Sequence, residues 1–349
     1  MRRIVLVIVA LFCLAIFANA LSGHFLAGGY APYLRTSDNP ILRFEMIPYA
    51  EVRYNGQRKA IPVAPFKLNS RGFRDREHSV SKVPGIFRIA GLGCTDMAGL
   101  GLAFENTKLR QLETFLLGQG RAPSYETINL GVPAYNFSQY IEIFRLMGLD
   151  YNPDMVIINM TYNDLNVSPA LDEYIFSRGW LINTLFWRIP LFRFGIQFFN
   201  YDKIFNRGVD LAALSQSLDA MEAMQRASGF KLLYILSDRP EGKEWESFMR
   251  RIARENTKNI QYFFHEMEDR YVIANDWHLN AEGNRLWARL VACELSKTNG
   301  WLPDEEAARL VQQGVCDAIP PDVNQKPPEP FAGPRLHPPN HGDEFSAPE

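Results

Sequence analysis

Residues 91–101 read GLGCTDMAGLG. The short apolar run Ile86–Leu92 leads into them and a helix-like pattern follows. In an α/β chain, a glycine-rich turn from strand to helix is a place where a reactive or binding group is presented. At the centre of this turn stand Cys94, Thr95 and Asp96. A dinucleotide-binding reading fails, because the third glycine of GxGxxG would fall on Asp96.

Outward from this turn, strand-like and helix-like segments alternate. Met155–Met160 (MVIINM) reads as a buried strand launched by the turn Asn152-Pro153-Asp154. Tyr125–Leu130 and Lys231–Leu236 read as further strands. Helices are expected over Thr107–Leu117, Ser138–Leu149 and near Trp245–Glu255, and Leu211, Leu214, Leu218 and Met221 have helical spacing. Asn280 caps a last helix reaching about Lys297. Such alternation predicts an α/β fold, a parallel sheet with helices on both faces.

The rest of the chain divides into four parts. In residues 1–22, Arg2 and Arg3 precede the uncharged apolar run Ile4–Phe17, and Ala18-Asn19-Ala20 matches a signal-peptidase site. The run extends to Leu21, so residues 4–21 read equally as a membrane anchor. Either reading places the remainder outside the cytoplasm, periplasmic or secreted. Residues 23–83 read as an extension packing on the main domain, which spans 84–300. Residues 301–349 form a tail, with nine prolines after residue 318 and no periodicity, the composition of a disordered segment. The aromatic segment 180–205 breaks the alternation and reads as a lid, an interfacial contact or core packing. Cys293 and Cys316 can bridge the last helix to the tail, or Cys293 can be a buried helix residue. A net charge of −2 gives no argument for nucleic acid. The histidines show no metal-ligand spacing, so no metal or other cofactor is expected.

Ligands of such a sheet bind beyond the carboxyl ends of its strands. There the chain has Thr95, then Gly131 in NLGVP, then Asn163 in TYND, and downstream Asn275-Asp276-Trp277-His278. A hydroxyl beside an imidazole suits acyl transfer, and N–H donors with an Asn amide suit the oxyanion that forms.

Over roughly residues 84–297 the chain resembles the SGNH (GDSL-type) hydrolases. Gly93-Cys94-Thr95 and Gly99 line up with the first block, Gly131 with the second and Asn163 with the third. Asn275, His278, Asn280 and Gly283 line up with the last. LNSRGFRDRE at 68–77 resembles the lead-in of secreted or membrane-anchored bacterial members. The resemblance implies a three-layer flavodoxin-like fold and a carboxylic-ester hydrolase or O-acyltransferase acting on a small-molecule or glycan ester. It implies Thr95 as nucleophile, His278 as base supported by Asn275 or Asp276, and an oxyanion hole from Thr95, Gly131 and Asn163. The departures are Thr for the nucleophilic Ser, Cys94 for the preceding acid and Asn275 for the supporting Asp. A methyl on Cβ restricts the hydroxyl, and a neutral amide cannot stabilise imidazolium. The alternative reading is therefore an inactive fold that binds an acylated glycan or a protein partner.

Overall fold

A computed structural model describes residues 33–52, 66–117, 125–165, 211–236, 248, 251–252, 257–261, 269–273 and 278–319. Expectations for the N-terminal segment 1–22, the aromatic segment 180–205, Asn275, Asp276 and the tail beyond 319 lie outside these residues.

Five parallel strands make the central sheet: β5 (Phe87–Leu92), β6 (Tyr125–Asn129), β7 (Met155–Met160), β8 (Lys231–Leu236) and β9 (Thr257–Gln261). Their order is β6-β5-β7-β8-β9, the doubly wound flavodoxin-like order. The sequences of β7 (MVIINM) and β8 (KLLYIL) are almost wholly apolar because both faces are covered. All six residues of β7 are buried, yet they serve different layers: Val156, Ile158 and Met160 enter one core, Met155 and Ile157 the other.

Helices cover each face. On one lie α3 (Phe137–Ile143) and α4 (Leu211–Ser228), through Phe137, Tyr140, Leu214 and Leu218. On the other lie α2 (Lys108–Leu117) and α5 (Ala281–Lys297), through Leu109, Leu112, Trp287 and Leu290. Helix α3 starts on a capping box between Asn136 and Gln139. The expected helix 138–149 is not one α-helix: a π-helical turn follows at Phe144–Gly148 and a 3-10 turn at Leu149–Tyr151. Gly148 makes this possible, because a Cβ there would meet the Phe144 ring at 2.2 Å and Leu130 at 2.9 Å.

The extension folds as two small antiparallel pairs, β1 (Leu34–Thr36) with β2 (Phe44–Met46), and β3 (Glu51–Val52) with β4 (Phe66–Lys67). It docks on α3 through polar bonds around an apolar contact. Gln139 Nε2 donates to Leu42 O at 2.8 Å, Tyr135 Oη to Phe44 O at 2.5 Å and Asn39 Nδ2 to Glu142 Oε1 at 2.6 Å. Leu42, Phe44, Leu68 and Phe73 join the same core as α3.

Residues 301–319, expected as part of the tail, are folded. Trp301 and Leu302 are buried, and α6 (Asp304–Gln312) packs Leu310 against the α2–α5 layer. Only one face of α6 is apolar, and its acidic first turn resembles a polar tail in sequence. A disulfide between Cys293 and Cys316, Cα–Cα 5.1 Å, closes this unit. Of the two readings of Cys293, the bridge is the one found, and the residue is buried as well. Its loop spans 23 residues. Cys316→Ser is expected to lower the unfolding free energy by about 3 kcal/mol through loop-closure entropy. Urea denaturation under oxidising conditions measures this, and an unchanged midpoint would refute it.

Candidate functional site

The turn at 91–101 passes directly from β5 into a single helical turn, α1 (Thr95–Ala98). Cys94 is its N-cap residue without a side-chain cap bond, and Gly99 ends it in the left-handed region, φ 70°, donating its N–H to Thr95 O. Gly99 is required there because of this φ and because a Cβ would meet Thr107 Cγ2 at 2.6 Å. Thr95 is thereby held, half-buried, at the carboxyl end of β5, between β6 and β7.

The neighbours of β5 bring two more of the expected residues to the same edge. Gly131 follows β6, and Asn163 lies in the 3-10 turn Tyr162–Leu165 that follows β7. The oxyanion role expected of the Asn163 side chain falls outside the described residues. Gly131 packs against α1 so closely that a Cβ would lie 2.6 Å from Ala98 N. Its N–H donates to Asn129 Oδ1 at 2.9 Å, while Asn129 Nδ2 donates to Met97 O at 2.9 Å. Asn129 therefore ties the β6 exit to α1 and already occupies the N–H expected to meet an oxyanion.

Cys94 sits beside Tyr140 and Asp164. Burial, and then the negative charges of Asp164 and Asp96, push its thiol pKa up. It is thus no thiolate nucleophile, in keeping with its reading as a small apolar residue. Asp164 is itself buried, with Oδ2 accepting from Thr161 N at 2.7 Å, which fixes the exit of β7.

His278 is half-buried in the segment leading into α5. Its carbonyl accepts from Ile273 N at 2.9 Å, and Val272 bridges Leu279. Asn280 caps α5 by accepting from Gly283 N at 3.0 Å. Gly283 admits Tyr271 O, which a Cβ would meet at 2.3 Å. The last-block Asn and Gly thus shape the backbone around His278. Leu279 shares a core cluster with Met97, two residues beyond Thr95. Asn275 and Asp276 lie outside the described residues.

Three features of the site were not read from the sequence. Lys108 is fully buried, its Nζ 2.6 Å from Asp96 Oδ2 and 5.8 Å from the Trp287 ring centre. Trp287 Nε1 in turn donates to Asn159 Oδ1 of β7 at 3.0 Å. Arg74 is also buried, and it donates to the carbonyls of Gly99 and Leu102 while its guanidinium lies 4.0 Å from the Phe66 ring centre. Desolvation by burial lowers its pKa to about 10, although Glu105 opposes this, so it stays charged at neutral pH. Finally, Asp75-x-x-His78 repeats the Asp-x-x-His spacing without the chemistry. The His78 ring is held between Asp75 at 2.9 Å and Glu126 at 2.7 Å, its side chain wholly buried. Burial disfavours its charge, but Asp75 and Glu126 prevail and its pKa is raised. Asp75 also accepts from Asn129 N at 2.7 Å, so the His78–Asp75 pair anchors the β6 exit. The sequence signal for this network was the charge density of 71–78, RGFRDREH.

No protein-family model and no curated protein matches the chain. Similar solved structures include TesA, at 18% identity and TM-score 0.42, covering 62% of this chain and 99% of that one. A lipase/acylhydrolase from Enterococcus faecalis is 16% identical with TM-score 0.40, covering 60% of this chain and 95% of its own. A family two carbohydrate esterase from Clostridium thermocellum, in complex with cellohexaose, is 10% identical with TM-score 0.40, covering 69% and 84%.

Proposed function

We propose that the chain is an extracytoplasmic carboxylic-ester hydrolase or O-acyltransferase of low turnover, acting on an acylated glycan or similar ester. Thr95 Oγ is the nucleophile and His278 its base. The observation that carries this reading is the placement of Thr95, Gly131 and Asn163 at the carboxyl ends of three neighbouring strands, with β5 in the middle. Attack by the Thr95 oxygen on the ester carbonyl forms the new C–O bond as His278 takes the hydroxyl proton. The imidazolium then protonates the departing alkoxide. Water or a second alcohol releases the acyl group by the reverse route. The Cys293–Cys316 disulfide supports an oxidising compartment, which fits a chain carried through a membrane by residues 1–22.

A second reading has one specific observation in its favour. The Gly131 N–H is engaged by Asn129 Oδ1, so an oxyanion at that position competes with an existing bond. A cleft that binds an ester without turning it over needs no such donor.

Hydrolysis of an aryl acetate by the full-length chain separates the two. On the enzyme reading, Thr95→Ala and His278→Ala each lower kcat/KM by roughly 10²-fold or more. Equal rates for parent and both variants, each folded by circular dichroism, would leave the binding reading.

A further inference from the structure

A cavity of about 250 Å³ lies where the extension meets α3 and the loop that follows β6. Its walls are apolar: Met46, Phe73, Val132, Ile143 and Met147. Arg35 and Arg71 also line it, with Glu45 the single acidic lining residue.

The backbone around the cavity is unusual on three sides. Tyr49, next to the lining residue Pro48, has φ 61°, and Ala134, next to the lining residue Tyr135, has φ 65°. Side chains with a Cβ rarely adopt this region, and such positions gather at ligand sites. The third side is the π-helical turn Phe144–Gly148, which carries Met147. Single π turns of this kind are also frequent at functional sites. Gly72, φ 86°, closes the base, since a Cβ there would meet Met46 O at 2.6 Å.

We propose that this cavity is a binding site for a short aliphatic monocarboxylate. Its chain lies against the five apolar walls and its carboxylate meets Arg35 and Arg71. Size and charge set the class. The cavity of about 250 Å³ takes about eight non-hydrogen atoms at roughly 30 Å³ each, the size of hexanoate. Arg35 turns both Nε and Nη2 to Glu45 Oε1 at 2.7 Å, and Arg71 gives Nη2 to Asp150 at 2.6 Å while stacking 4.9 Å from the Tyr151 ring centre. A guanidinium carries five N–H groups, more than these pairings use, and it suits a planar carboxylate. Val132 N donates to Gly93 O at 3.1 Å, so the loop that walls the cavity also borders the turn bearing Thr95. The proposal does not depend on turnover at Thr95.

Calorimetric titration of the full-length chain with sodium hexanoate tests it, with 1-hexanol and acetate as comparisons. Hexanoate is expected to saturate one site at least roughly tenfold more tightly than either, since one comparison lacks the charge and the other the chain. Arg71→Gln, a partly exposed position that leaves the core intact, is expected to weaken hexanoate roughly fivefold or more. Met147→Trp, which fills the cavity, removes binding. Absence of saturable hexanoate binding, hexanol binding as tightly as hexanoate, or an Arg71→Gln variant that binds like the parent would each overturn the proposal.

Discussion

Arg88→Met is expected to cost about 3–5 kcal/mol of stability, because it removes one partner of a buried ion pair and leaves the other charge behind. Arg88 is 1% exposed, at the start of β5 between β6 and β7. Its Nε donates to Glu126 Oε2 at 2.5 Å. Nη1 donates to Tyr151 O at 2.8 Å and Val80 O at 3.1 Å, and Nη2 donates to Ser79 O at 2.7 Å. Methionine fills much of the volume but satisfies none of these acceptors, and the buried Tyr151 carbonyl left unpaired adds a desolvation cost. His78 then remains as a partner of Glu126. Arg35→Met serves as the contrast. The Arg35 side chain is 53% exposed in its pair with Glu45, so the same substitution there is expected to change stability by less than about 1 kcal/mol. Urea unfolding of both variants measures the difference, and similar midpoints would sink the argument.

Gly131→Ala is expected to damage both stability and the site. The added Cβ would lie 2.6 Å from Ala98 N and 2.9 Å from Met97 C. These are backbone atoms and cannot rotate aside, so α1 itself must move. Overpacking of this kind costs about 1–3 kcal/mol. Thr95 is the first residue of α1 and moves with it. A displacement of about 1 Å in a reacting group costs roughly 10²-fold in rate, so kcat/KM for an aryl ester should fall by about that much. The stability arm holds whether or not the cleft turns over. An unchanged midpoint would show that the β6 exit yields instead of α1.

Sequence periodicity found the sheet where burial on both faces makes strands apolar throughout. Expected strands at 86–92, 125–130, 155–160 and 231–236 agree with those found to within one residue at each end. Strand β9 was missed because TKNIQ is an edge strand with one apolar residue, and no period can be read from that. The disruption at Phe144–Gly148 was missed because a π turn keeps helical composition and changes only the bond pattern. At the sheet edge, the placement of Thr95 after β5 and of Gly131 after β6 was legible because glycine spacing marks where backbone must approach backbone. The Asn129 bond to Gly131 was not, since an Asn two residues before a glycine has many other uses. The buried cations Lys108, Arg74 and Arg88 were unreadable for a related reason. Their sequence context is that of exposed charge, and only tertiary packing sets an acceptor around each one.

The two buried arginines address main chain far more than side chain. Arg74 meets the carbonyls of Gly99 and Leu102, and Arg88 meets those of Ser79, Val80 and Tyr151. A carbonyl is offered by every amino acid, so these clamps recognise the path of a loop and are blind to its spelling. Mutational drift in 79–81, or in 98–102 outside Gly99 and Gly101, can then proceed without compensating change at 74 or 88, provided the loop keeps its course. Coordinated substitution between clamp and loop would leave no trace in descendants of such a chain. A fold secured in this way can outlast most of the letters that first encoded it.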